Sequence, residues 1–131
     1  MHATEAYEAE SELAWAIRDP NASELATEMR QHASENGAPA AAAFADRLTG
    51  RLAAADGDHA TALLRFADAI DTFDRLDAPW ERALTVVEVG RSQAAMGDIE
   101  AARASWVDAR ATFERLGAML DLTTVDALLA G

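Results

Sequence analysis

Residues 57–76 read GDHATALLRFADAIDTFDRL, and residues 97–116 read GDIEAARASWVDARATFERL. Laid over each other at a shift of forty residues, the two stretches agree where agreement means most. Gly57-Asp58 falls on Gly97-Asp98, Ala62 on Ala102, Asp68-Ala69 on Asp108-Ala109, Thr72-Phe73 on Thr112-Phe113 and Arg75-Leu76 on Arg115-Leu116. Phe66 meets another aromatic ring, Trp106. Within the first stretch Leu63, Phe66, Ile70 and Phe73 are spaced three, four and three apart, which puts them on one stripe of an α-helix. The aspartate after each glycine is suited to cap a helix, because its carboxylate accepts from free amides of the first turn. Each stretch therefore reads as a turn followed by an amphipathic helix.

Working outward, the same shift carries Ala38-Pro39 onto Ala78-Pro79, Gly50-Arg51 onto Gly90-Arg91 and Ala54-Ala55 onto Ala94-Ala95. Proline is accepted in the first turn of a helix, so Pro39 and Pro79 open two further helices. Gly50 and Gly90 then lie inside helices, where glycine costs roughly 0.5–1 kcal/mol against alanine. A recurring interior glycine points to close helix approach. Punctuation completes the division: Asp19-Pro20-Asn21 ends a first helix begun near Thr4, Asn36-Gly37 ends a second, and Gly117 precedes a seventh. The chain is predicted to be all-α, about seven helices in one domain over residues 1–131, built from pairs that bury their apolar faces only by stacking.

A small residue in the first helix, Gly-Asp at the turn, then small and aromatic residues down the second helix resemble the tetratricopeptide repeat. Gly90, Gly97-Asp98, Ala102, Trp106 and Ala109 carry the pattern, as do Gly50, Gly57-Asp58, Ala62, Phe66 and Ala69. The period exceeds the usual one of about 34 residues, the extra length lying in a second helix that continues through Phe73 and Leu76. The segments FDRLDAPWERA and FERLGAMLD resemble the C-terminal repeat arrays of bacterial LuxR-type ATP-binding regulators and ATPase-linked nucleotide cyclases. That resemblance implies a right-handed superhelix, a cytoplasmic setting and a piece of a larger signalling protein.

Composition narrows the function. Among 131 residues, 23 acidic side chains face 11 basic ones, a formal charge of −12. Such a surface repels phosphates and disfavours nucleic acid and anionic membranes as partners. There is no cysteine, hence no disulfide framework and no thiolate metal site, and every one of those basic side chains is arginine. Without lysine there is no phosphate-binding Gly-Lys loop. Ser11, Ser23, Ser34, Ser92 and Ser105 lie in polar helical contexts away from any nucleophile motif. The chain does not read as an enzyme, and no cofactor is expected.

Other polar groups have plain structural readings. Asp56, Asp58 and His59 close one helix and cap the next, and His32 belongs to an exposed face near Glu28 and Glu35. Asp68, Asp71, Asp74 and Asp77 drift around their helix as a solvated face instead of converging on a cation. Trp106 is expected in the core, Trp80 half-buried and Trp15 partly exposed. Trp15 at one end, with Leu128 and Leu129 at the other, suggests weak self-association.

In tetratricopeptide stacks the first helices of successive units line the concave surface. Arg47 and Arg51 lie one turn apart in such a helix, and Arg91 repeats the place of Arg51. Tyr7 and Ser11 take the corresponding places on the first helix, and Val87 adds apolar contact. These six residues form a candidate groove for a protein or peptide partner, an acidic segment or a terminal carboxylate, since arginine can bond both carboxylate oxygens at once. The alternative for the arginines is internal pairing with Asp46, Glu88 or neighbouring second-helix acids. The function expected is a protein-interaction or regulatory scaffold. The alternatives are a small-ligand effector sensor controlling an attached ATPase or cyclase, and a structural spacer.

Overall fold

Asp58 and Asp98 each accept a hydrogen bond from the amide three residues on, Thr61 and Ala101, at 3.2 Å. The glycines before them, Gly57 and Gly97, turn the chain at φ +83° and +87°. Side chains with a Cβ resist that left-handed conformation. The helices so begun are α4 (His59–Arg75) and α6 (Ile99–Leu116). In the computed structural model, which describes residues 4–131, five more helices complete the chain. They are α1 (Thr4–Ala16), α2 (Ala22–Asn36), α3 (Pro39–Ala55), α5 (Pro79–Ala95) and α7 (Met119–Ala130). Among the described residues there is no strand, and no helix is long and apolar enough to cross a membrane.

Caps and breakers act where their chemistry predicts. Pro39 and Pro79 occupy the first turns of α3 and α5, and Gly37 and Gly117 close α2 and α6 in the left-handed region. α1 ends at Ala16, just ahead of the expected break at Asp19-Pro20-Asn21. The Arg18 backbone sits at φ +54°, and its guanidinium bonds back to the Trp15 carbonyl while lying 3.6 Å from the Trp15 ring.

Consecutive helices pack as neighbours along the chain, and α3 also touches α1 on one side and α5 on the other. α1, α3 and α5 thus form a row of their own. Two clusters make the core. The first gathers Tyr7, Met29, Phe44, Leu48 and Phe73 from α1 to α4; the second gathers Val86, Val87, Trp106, Phe113 and Val125 from α5 to α7.

The two interior glycines are places of close approach. A Cβ on Gly50 would stand 2.5 Å from the Phe66 ring, and one on Gly90 would stand 2.2 Å from Trp106 Nε1. Both rings are buried, and each lies where its partner helix lacks a side chain. Trp106 Nε1 donates to the Val87 carbonyl at 3.2 Å. The indole is thus satisfied as well as packed.

Candidate interaction surface

The row α1–α3–α5 holds the six groove residues, but it does not leave them open. Arg47 is 1 % exposed. One of its terminal nitrogens donates to Glu12 Oε1 of α1 at 2.8 Å, the other to Glu81 Oε2 of α5 at 2.5 Å. Its guanidinium also lies 5.5 Å from the Phe44 ring centre and 5.4 Å from that of Phe73. Both distances are within cation–π range. A charge buried this far needs its partners, because the solvation it gives up is worth several kcal/mol (order of magnitude). Arg51, also buried, donates to the same Glu12 Oε1 at 2.8 Å. Its Nε is buried without a hydrogen bond, 3.9 Å from Glu88 Oε1.

The arrangement corrects the groove reading at the arginines. Arg47 and Arg51 are paired internally, and their carboxylates come from the odd helices: Glu12, Glu81 and Glu88. Asp46, the other candidate partner, binds Arg30 of α2 instead, at 2.6 Å. Tyr7, Ser11 and Val87 are buried too. The Tyr7 ring meets the edge of His32 at 5.0 Å, so His32 is half-buried against α1 where a solvated face was expected. Ser11 Oγ donates to the Glu8 carbonyl in its own helix. Of the six, Arg91 alone is exposed, at the matched place one unit along.

Glu8 joins this cluster from α1. Its carboxyl is pushed from an ordinary 4.5 up to about 7, first by a hydrogen bond with the Glu81 carboxyl, then by burial and by the Glu81 charge. Arg47 pulls the other way and does not prevail. Four carboxylates (Glu8, Glu12, Glu81 and Glu88) thus surround two guanidinium groups, leaving acid in excess by two when all are ionised. Tyr7, one residue before Glu8, is raised in turn by burial and by the charges of Glu28 and Glu10.

Outside the row, ion pairs tie each even helix to the next odd one. Arg30 of α2 meets Asp46 of α3, and Arg110 of α6 meets Asp126 of α7, both at 2.6 Å. Two repeat lengths separate these pairs, and the unit between them replaces the ions with Ile70 and Val86 packed in the second core cluster. The sequence carries this signal as two Arg-to-Asp spacings of sixteen, which a reading by helix faces alone does not pick out. Burial raises Asp46, while the hydrogen bond and charge of Arg30 lower it; burial prevails. Arg82 of α5 bridges Asp74 of α4 and Asp108 of α6 at 2.8 and 3.3 Å. Two residues of the acidic run are therefore paired, Asp74 with Arg82 and Asp68 with Arg65.

At the ends of the stack Trp15 is partly exposed, as expected. Leu128 and Leu129 pack partly buried against the second core cluster, and Trp15 against the first. The apolar side chains left outside are Leu13 and Ile17 at one end, Met119 and Leu120 at the other, Leu120 being 86 % exposed. Trp80 is 42 % exposed, in keeping with the half-buried expectation, with Nε1 donating to Asp121 at 2.8 Å. Leu13 and Ile17 border an open surface hollow of about 420 Å³ between α1 and α2. Among the described residues no group of three or more His, Cys, Asp or Glu comes together as metal ligands would. No protein-family model, no curated protein and no solved structure matches the chain.

Proposed function

We propose that the chain is a protein-interaction scaffold of the tetratricopeptide-like kind, a regulatory module that receives a partner segment along the row of odd helices. The observation that carries this reading is the continuous charged layer from Glu12 through Arg47 and Arg51 to Glu81 and Glu88, joining three helices across one face. Matched local geometry forty residues apart supports the repeat: two aspartate caps, two left-handed glycines, and two glycines beneath aromatic rings. Tetratricopeptide-like stacks curve with their first helices inward, and a curved row suits an extended segment. The sequence resemblance adds the setting, a bacterial signalling or transcription-regulatory protein.

The roles within the row are revised from those the sequence suggested. Arg47 and Arg51 clamp α1 and α5 onto α3. Arg91 is the arginine offered to a partner carboxylate, and exposed pairs of this sort contribute only about 0–1 kcal/mol each. Affinity on the order of micromolar or weaker follows. Photocrosslinking side chains placed at Arg91 on the odd row and at Arg103 on α6, both exposed, test the reading with the source cell's lysate. Defined crosslinks from position 91 and none from position 103 are expected. Equal labelling at both, or labelling at 103 alone, rejects the odd-helix row as the binding face.

A further inference from the structure

α1 and α2 lie side by side and leave a trough between them. Glu10, Leu13 and Ile17 line it from α1, and Glu24, Leu25 and Glu28 line it from α2. Within each helix these residues recur at three or four, so each set is one helix face. Leu13 and Ile17, one turn apart, are 60 % and 61 % exposed. Charge of a single sign surrounds them. The charges of Glu10 and Glu28 both reach Tyr7, which places the two at one end of the trough. Asp19, in the turn between the helices, stands at the other end, and Glu24 lies exposed along the side. Among the described residues that line the trough none is basic. Arg18, the arginine closest along the chain, is turned back onto the Trp15 carbonyl and ring.

We infer that this trough is a docking site for a basic amphipathic helix of a partner protein, its apolar stripe lying on Leu13, Ile17 and Leu25 and its arginines or lysines meeting the carboxylates at the rim. Two helices side by side present a groove into which the side-chain ridges of a third can pack. The one-turn spacing of Leu13 and Ile17 matches an apolar stripe of the same period. The trough is open on its outer side, so it covers one face of a helix but would leave much of a small molecule in water. An apolar ligand without cations does not suit it, because covering the rim would strip water from carboxylates and offer nothing in exchange. Charge also argues against a second copy of the chain as occupant. The exposed apolar pair at the opposite end, Met119 and Leu120, sits on α7, which carries Asp121 and Asp126 and no basic residue. Two chains of formal charge −12 repel each other besides. The trough lies on a different face of α1 from Tyr7 and Ser11, and the inference does not rest on the proposed use of the odd-helix row.

The probe is a fluorescently labelled helical peptide of about three turns, with leucines along one face and arginines on both sides of them. Fluorescence polarisation with the full chain at about 0.15 M salt should give a Kd on the order of 10 μM. Exchanging the peptide's leucines for serine, or its arginines for glutamate, should abolish binding. On the protein, Leu13→Ser/Ile17→Ser and Glu24→Arg/Glu28→Arg should each weaken binding about tenfold, with circular dichroism confirming the fold. Asp71→Arg/Glu100→Arg makes the same change in net charge at exposed places on α4 and α6, and should leave binding within about twofold. Equal weakening by both charge reversals would show attraction to an acidic surface at large and overturn the site. Binding that survives the loss of Leu13 and Ile17 overturns it too, as does no binding up to about 1 mM peptide. Self-association in sedimentation that Leu13→Ser/Ile17→Ser removes would assign the trough to a second copy, against the inference.

Discussion

Replacing Gly90 by alanine tests the packing of the second helix pair at its tightest point. In an exposed helix interior the change would stabilise, by roughly 0.5–1 kcal/mol, through the propensity difference. In α5 the new methyl would lie 2.2 Å from Trp106 Nε1 and 2.6 Å from Cδ1, distances that no real Cβ tolerates. The indole has to move. Overpacking of this kind costs about 1–3 kcal/mol. Movement also stretches the bond from Trp106 Nε1 to the Val87 carbonyl. An indole N–H left buried without an acceptor costs about 1–3 kcal/mol more. After the propensity gain, a net loss of about 2–4 kcal/mol is expected. Gly50→Ala supplies the comparison. Its methyl would meet the Phe66 ring at 2.5 Å. Phenylalanine has no donor to strand, so the loss should be about 1–2 kcal/mol. Urea unfolding followed by circular dichroism measures both, with an unchanged denaturant slope showing that the transition is the same one. A Gly90→Ala protein as stable as the wild type would refute the close approach. A larger loss for Gly50→Ala than for Gly90→Ala would refute the part assigned to the indole bond.

Trp106→Ala should cost about 3–5 kcal/mol by leaving a cavity. Val107, on the exposed face of the same helix, is the control. Its replacement by alanine should change stability by no more than about 0.5 kcal/mol. Arg47→Met leaves Glu81 without its cation and Glu12 with Arg51 alone. It should destabilise by about 3 kcal/mol, and the same urea series reads it. The raised Glu8 carboxyl makes its contribution complete below about pH 4.5 and lost as pH rises through about 7. The unfolding midpoint of Glu8→Gln should therefore fall less than that of the wild type between pH 5 and 8; parallel curves would contradict the Glu8–Glu81 contact. Asp58 is shifted the opposite way by its hydrogen bonds with Thr61, so its contribution is present above its unfolded value and lost on acidification. Asp58→Ala should lower the midpoint at neutral pH and have little effect near pH 2.

The helices were legible because their determinants are local. Pro39 and Pro79 in first turns, Gly37 and Gly117 at ends, and Asp58 and Asp98 as caps act within one turn of chain. The expected approach at Gly50 and Gly90 was also legible, since each glycine recurs at a fixed distance from an aromatic residue of the following helix. The candidate groove was not. Periodicity put Arg47, Arg51 and Arg91 on corresponding helix faces, but it carries no information on which carboxylates reach them. Glu12 and Glu81 stand 35 and 34 residues from Arg47, and their long side chains choose partners only once α1, α3 and α5 are side by side. Tyr7 and Ser11, expected along the groove, are buried on α1. Their burial depends on how closely α1 lies on α3, which no local pattern reports. At the ends, Leu128 and Leu129 look like Leu120 in sequence; only the rotation of α7 against α6 turns two inward and one out.

The central claim is that two successive helix pairs are built alike, each with an aromatic ring closed down on a glycine of the preceding helix. Nuclear Overhauser contacts from the α-protons of Gly50 and Gly90 measure this most directly. Strong contacts are expected from Gly50 to the Phe66 ring and from Gly90 to the Trp106 indole, with both pairs of glycine protons displaced by the ring currents above them. Absence of either set, with the glycines showing contacts only to their own helices, would contradict it.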